Sequence, residues 1–298
     1  MKKILTLCAI TLGAFAFNTN AQGFYLDFNA GYGFGFPKNV LGTETHTDIV
    51  NGVGSVTTKN LTGSIGQGLN LQLTPGYMIN EHIGIELGIN YFIGGKTLMN
   101  KVTRSINNGG AIVDDEYEKR EDIAHSSQLR IAPTVFLSTG ITNKISGYAK
   151  VGIILPVYGS TIVNTEWIQG SIDNGAIVKE KHEIVTKING DLSMGFRGAL
   201  GVNYNITDNI SVFGEVFALS LNVKQKNRAS TSYKIDGEEL VEFVPVIKAQ
   251  IEYVDELTPE SNNPSYNTKY DTSKPLNELY QKTSFSQMGI QVGVKYRF

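Results

Sequence analysis

The strongest hint of covalent chemistry in the 298-residue chain is His125-Ser126-Ser127. On an extended strand His125 and Ser127 share a face, so an imidazole base could take the proton of a serine nucleophile, the chemistry of ester hydrolysis. No acidic residue follows in that strand to orient the imidazole. The segment reads more simply as a loop-to-strand boundary, and no catalytic residue is expected.

Other chemistry-bearing residues give less. Asp114, Asp115, Glu116, Glu118, Glu121 and Asp122 form an acidic run that could hold Ca²⁺ weakly. It lacks the regular ligand spacing of a calcium loop and reads as a solvated loop. His46, His82 and His182 are isolated and read as surface residues. Gly31, Gly33 and Gly35 precede no helical pattern, which argues against a nucleotide loop. Cys8 is the only cysteine and lies in the leader described below, so disulfides, thiolate catalysis and cysteine-bound metals are excluded. No metal or cofactor is expected. The net charge of −2, two units more negative without Lys2 and Lys3, argues against nucleic acid as a partner.

The remaining charges fall into a pattern set by the elements that carry them. Met288, Ile290, Val292, Val294, Tyr296 and Phe298 alternate with Gly289, Gln291, Gly293, Lys295 and Arg297. A period of two makes a strand with one apolar and one polar or small face. The same alternation recurs from Phe24, Leu69, Ile83, Leu129, Ile145, Leu192 and Ile210, giving eight segments in all. Each is long enough to cross a bilayer at a tilt of ~45°. The connections alternate between short and long. Ile79–Ile83, Ile141–Ile145 and Ile206–Ile210 are polar turns of one pattern, whereas 37–65, 96–125, 161–188 and 225–282 are long. Within the last of these, Val241 to Tyr253 predicts a strand or hairpin, and Pro275 to Tyr280 predicts a helical turn.

These features predict an all-β chain, an eight-stranded antiparallel transmembrane up-and-down β-barrel with short periplasmic turns and four long extracellular loops. A charge facing lipid at mid-bilayer costs ~2–4 kcal/mol, so charges are expected inside. That places Asp27, Glu86, Asp191 and Glu215 in one lumen with Arg130, Lys150, Arg197, Lys295 and Arg297. An eight-stranded barrel is just wide enough for side chains, so the expectation is an ion-pair network that fills it, beside Phe92, Phe136 and Tyr148. A gated ion path is the functional alternative to a static polar core.

The first residues form a separate object. Lys2 and Lys3, the apolar Ile4–Phe17 and Thr19-Asn20-Ala21 fit a secretory signal peptide over 1–21, cleaved to leave a barrel domain over 22–298.

Signal peptide, alternating strands and a terminal Tyr296-x-Phe298 resemble the small OmpA/OmpX-like barrels, in particular the porin-family "outer membrane protein beta-barrel domain" proteins common in Bacteroidetes. The resemblance spans the mature chain. It implies Sec-dependent export, a Gram-negative outer membrane and contact with its lipid. It also implies that Ile290, Val292, Val294, Tyr296 and Phe298 are read by the barrel-assembly machinery. The chain stops at Phe298 without OmpA's periplasmic domain, so no cell-wall tether is expected. The resulting expectation is a non-enzymatic surface barrel whose loops bind another surface or outer-membrane protein. A small porin is the second reading. A lipid-modifying enzyme built on His125 and Ser127 is the third.

Overall fold

The computed structural model describes residues 23–36, 40–109 and 113–298, so the leader over 1–21 lies outside the described residues. Seventeen strands make up nearly all of the regular structure. They are β1 (Phe24–Gly35), β2 (Val40–Val50), β3 (Val53–Thr62), β4 (Gly68–Met78), β5 (Ile83–Gly94) and β6 (Thr97–Asn107). The long strands β7 (Val113–Ser138), β8 (Ile145–Asp173) and β9 (Ala176–Gly190) follow, then β10 (Gly195–Asn205), β11 (Ile210–Ser220) and β12 (Asn222–Ile235). The last are β13 (Glu238–Glu239), β14 (Gln250–Val254), β15 (Leu276–Leu279), β16 (Lys282–Ser284) and β17 (Gln287–Arg297). Among the described residues no helix is long and apolar enough to cross a membrane.

Eight of these strands close on themselves. Antiparallel ladders join β1 to β4, β4 to β5, β5 to β7 and β7 to β8. Others join β8 to β10, β10 to β11, β11 to β17 and β17 back to β1. The ring is staggered. Paired residues lead from Phe24 through Tyr77, Ile85, Val135, Val151, Gly198, Ala218 and Met288 back to β1 at Phe34, about ten residues further on. Eight strands with that stagger tilt by about 43° and enclose a radius of about 8 Å.

The period of two then decides what faces where. In β5, Gly84, Glu86, Gly88, Asn90 and Phe92 are buried, while Ile83, Ile85, Leu87, Ile89 and Tyr91 are exposed. All round the ring the inner face carries the polar residues and the outer face the aliphatic ones. Val151, Leu200 and Val292 are 64%, 64% and 68% exposed, while Asp27 and Lys150 are 0% and 4%. Exposed aromatics border the outer aliphatic band at both rims: Phe24, Tyr77, Tyr204, Tyr296 and Phe298 at one, Tyr32, Phe34, Tyr91, Tyr158 and Phe196 at the other.

At the rim with the chain ends, Phe298 N donates to Phe24 O at 3.1 Å. Two of its three turns share one construction. Ile79 N donates to Ile83 O at 2.8 Å and Ile206 N to Ile210 O at 2.9 Å, with Asn80 Oδ1 and Thr207 Oγ1 capping the turn amides. The expected third copy differs. In the turn between β7 and β8, Ile141 packs inward against the cluster of Tyr25, Met78, Phe136, Tyr148 and Phe213. Its carbonyl accepts from Asn205 Nδ2 at 2.9 Å and Arg297 Nη1 at 2.7 Å.

At the opposite rim the long connections are mostly strand. The β2–β3, β6–β7 and β8–β9 hairpins extend the ladders past the ring. There an open sheet forms in the order β3-β2-β6-β7-β8-β9-β12-β14-β15. Continuing the ladder keeps backbone donors and acceptors paired, which a long irregular loop would not do. Two local expectations change. Pro275–Tyr280 yields the strand β15, laid parallel to β14, and not a helical turn. Val241–Tyr253 yields a 3-10 turn (Val241–Phe243), a short helix α1 (Val246–Ala249) and only then β14.

Candidate functional site

The densest chemistry lies inside the ring. Alternation turns Asp27 of β1, Glu86 of β5, Lys150 of β8, Arg197 of β10, Glu215 of β11 and Lys295 of β17 inward, and all are buried. Lys150 Nζ is the hub, 3.2 Å from Glu86 Oε2, 3.4 Å from Glu215 Oε2 and 3.7 Å from Asp27 Oδ2. Lys295 Nζ lies 3.6 Å from Asp27 Oδ2, and Arg197 Nη2 donates to Glu215 Oε1 at 3.1 Å. Three carboxylates therefore meet three cations.

Neutral groups complete the cage. Tyr25 Oη donates to Glu86 Oε1 at 2.9 Å and Tyr148 Oη to Glu215 Oε2 at 2.8 Å. Gln291 Nε2 donates to Glu215, and Arg197 Nη1 donates to Gln72. Lys295 Nζ sits 4.0 Å from the Tyr25 ring centre and 4.3 Å from that of Phe136, close enough for cation–π attraction. Beside the cluster a cavity of about 10 Å³, lined by Tyr25, Met78, Phe136, Ile141, Lys295 and Arg297, has room for about one water.

Three residues expected in this network stand elsewhere. Asp191 is exposed and precedes β10; its amide donates to Lys224 O and its Oδ1 accepts from Leu192 N at 2.9 Å. The lead-in Leu192-Ser193-Met194 mimics the strand's alternation, but the ladder begins at Gly195. Arg297, the last residue of β17, is half-buried at the rim and bonds Ile141 O and Ser211 Oγ, with no ion pair among the described residues. Arg130 is fully buried on β7 but meets no carboxylate among the described residues. Its Nε donates to Gln128 Oε1 at 2.8 Å, and its guanidinium carbon lies 4.1 Å from the Phe92 ring centre. Conversely, Tyr25, Gln72 and Gln291 belong to the cage although no motif in the sequence marks them. They sit at inward positions of strands whose period was already plain.

Near the upper end of the β5–β7 ladder, His125 and Ser127 share a face of β7, and no hydrogen bond joins them among the described residues. The acidic run is not a solvated loop but part of β7, zipped to basic neighbours. Asp114 meets Lys179 at 2.7 Å, Glu116 meets Lys119 at 2.8 Å, Glu118 meets Arg104 at 2.9 Å and Asp122 meets Arg120 at 3.1 Å. Lys179 holds the Asp114 carboxyl below its ordinary range by hydrogen bonding. His182, expected at the surface, is buried. It stacks on Trp167 with centroids 4.7 Å apart, and its Nδ1 lies 3.1 Å from Tyr233 Oη. Ile290, Val292, Val294, Tyr296 and Phe298 all point outward from the end of β17 or just beyond it.

No protein-family model and no curated protein matches the chain. Among solved structures it is similar to the outer membrane protein OprG from Pseudomonas aeruginosa, at 14% identity and a TM-score of 0.40, covering 93% of this chain and 96% of that one. Neisserial surface protein A is similar at 10% identity and a TM-score of 0.32, with 92% and 97% covered. CarO from Acinetobacter baumannii is similar at 14% identity and a TM-score of 0.30, with 91% and 97% covered.

Proposed function

We propose that the chain is a non-enzymatic outer-membrane β-barrel whose eight ring strands cross the bilayer, whose lumen is closed by its own side chains, and whose outer sheet presents a binding surface. The observation that carries this reading is the inversion of the ring: aliphatic outside, ionic inside. In water that outer belt would be a large exposed apolar patch, whereas in lipid it is the low-energy surface. The two aromatic rims suit the two membrane interfaces. They stand about eight residues apart along β1, or roughly 20 Å of height after the tilt, close to the ~25 Å band of such barrels. Ring closure leaves no sheet edge in hydrocarbon.

On this reading the rim with the short turns and chain ends faces the periplasm, after Sec-dependent export, and the outer sheet faces the medium. The end of β17, Ile290 to Phe298, is the segment presented to the assembly machinery. The ion-pair cage makes a static plug and not a conduit. Its Bacteroidetes-type, OmpA/OmpX-like kinship remains part of this proposal.

The test is expression in a Gram-negative host, with membrane fractionation and electrophoresis of boiled and unboiled samples. Recovery in the outer membrane, with a compact form converted by heating, is the expected result. Recovery in a soluble fraction would overturn the reading. Large, long-lived conductance steps in planar bilayers would replace the plug with the porin alternative.

A further inference from the structure

We propose that the inner face of the ring binds a small monovalent anion of the chloride class at Arg130, a site separate from the Lys150 cage. Arg130 is 0% exposed, and every partner it has is neutral. Besides Gln128, the Gln287 carboxamide, turned so that its nitrogen donates to Gly66 O at 2.9 Å, accepts from Arg130 Nη1 at 3.1 Å. The Phe92 and Phe285 rings cover the guanidinium at 4.1 and 5.9 Å. Nη2 has no partner.

The charges inside the ring sharpen this. Asp27, Glu86 and Glu215 are matched by Lys150, Lys295 and Arg197, which leaves Arg130 in excess. The charged group that bears on Arg130 is Arg197, of the same sign. A cation out of water is held by a counter-charge, and a guanidinium cannot escape by losing its proton. Directly across the β5–β7 ladder from Arg130 stands Asn90, buried, with its Oδ1 unpartnered. A guanidinium edge with a free N–H group, walled by the Phe92 and Phe285 rings, suits a small monovalent anion. The inference rests on the interior of the ring and not on its placement in a membrane.

The experiment uses the full mature chain in non-ionic detergent. Chloride-35 NMR line broadening is measured in sodium chloride, and the urea unfolding midpoint is compared between sodium chloride and sodium gluconate at equal ionic strength. Wild type is expected to broaden the line and to unfold at higher urea in chloride. Arg130→Gln should lose both effects. Asn90→Asp, which supplies a carboxylate beside Arg130, should also lose both while unfolding at least as late as wild type in gluconate, and it keeps the proposal testable if Arg130→Gln does not fold. A wild type indifferent to chloride, or a chloride effect that survives in either folded variant, would overturn the site.

Discussion

Lys150 Nζ lies 3.2 Å from Glu86 Oε2 inside a ring where neither side chain reaches solvent, and the same nitrogen holds Glu215 and Asp27 within 4 Å. One ammonium thus keeps three carboxylates together. Lys150→Met would leave them facing one another with Lys295 and Arg197 at the margins. Removing one member of a buried ionic cluster costs about 3–5 kcal/mol. The urea midpoint of the folded protein in detergent should fall accordingly; an unchanged midpoint would show that the cage does not stabilise the ring.

The outer belt makes a prediction of opposite polarity. Leu87 is 45% exposed at mid-height of β5. If lipid covers it, Leu87→Arg should cost about 2–4 kcal/mol in bilayers, as a charge does at the midplane. Val53→Arg, on the outer sheet and 73% exposed, should cost nothing measurable. Equal costs at the two sites would remove the distinction between a lipid face and a water face.

Two glycines of neighbouring strands separate the inside of the ring from the outside. A Cβ on Gly201 would meet the Tyr148 ring, whose hydroxyl holds Glu215, while a Cβ on Gly214 would meet nothing within 4 Å. Gly201→Ala should destabilise by roughly 1–3 kcal/mol through overpacking, and Gly214→Ala should be silent. Paired unfolding curves decide it.

Acid should act on the hairpins before the ring. Hydrogen bonds from Lys179 to Asp114, from Ser105 to Asp48 and from Lys59 to Glu44 hold these carboxyls below their ordinary range. A carboxyl whose folded pKa is depressed adds stability above its unfolded pKa, and that stability disappears as pH falls through the folded value. Protection from hydrogen exchange, taken relative to the intrinsic rate at each pH, should therefore fall in 40–62, 97–107 and 113–124 below about pH 4, with β4, β5 and β17 unchanged. Uniform protection across that range would refute the assignment.

Which side chains point inward was legible wherever the alternation was unbroken. Gly84-Glu86-Gly88-Asn90 left Glu86 only one face, and Lys150 and Lys295 followed the same rule. Asp191 escaped because the period runs on past the end of the ladder, and Arg297 because a last residue reaches the rim. What alternation lacks is the identity of the partner. Nothing local announces that β2 runs parallel to β6 or that β9 pairs with β12. The burial of His182 is invisible in its own strand for that reason, since Trp167 and Tyr233 reach it from two other strands. Arg130 is buried inside the ring as its strand position implies, but its missing counter-charge is a property of the closed ring and of no single strand.

The continuity of β7 and β8 gives the molecule a mechanical character. A load on the hairpin tip near Asp173 is led along β8 itself, which runs unbroken into the ring and is paired to β7 and β9 on the way. The rungs shared with β7 continue downward until the register slips between Leu129 and Arg130, opposite Pro156. That irregularity interrupts the ladder between the outer sheet and the rungs that carry Lys150, so it divides one continuous strand pair into two mechanically separate spans.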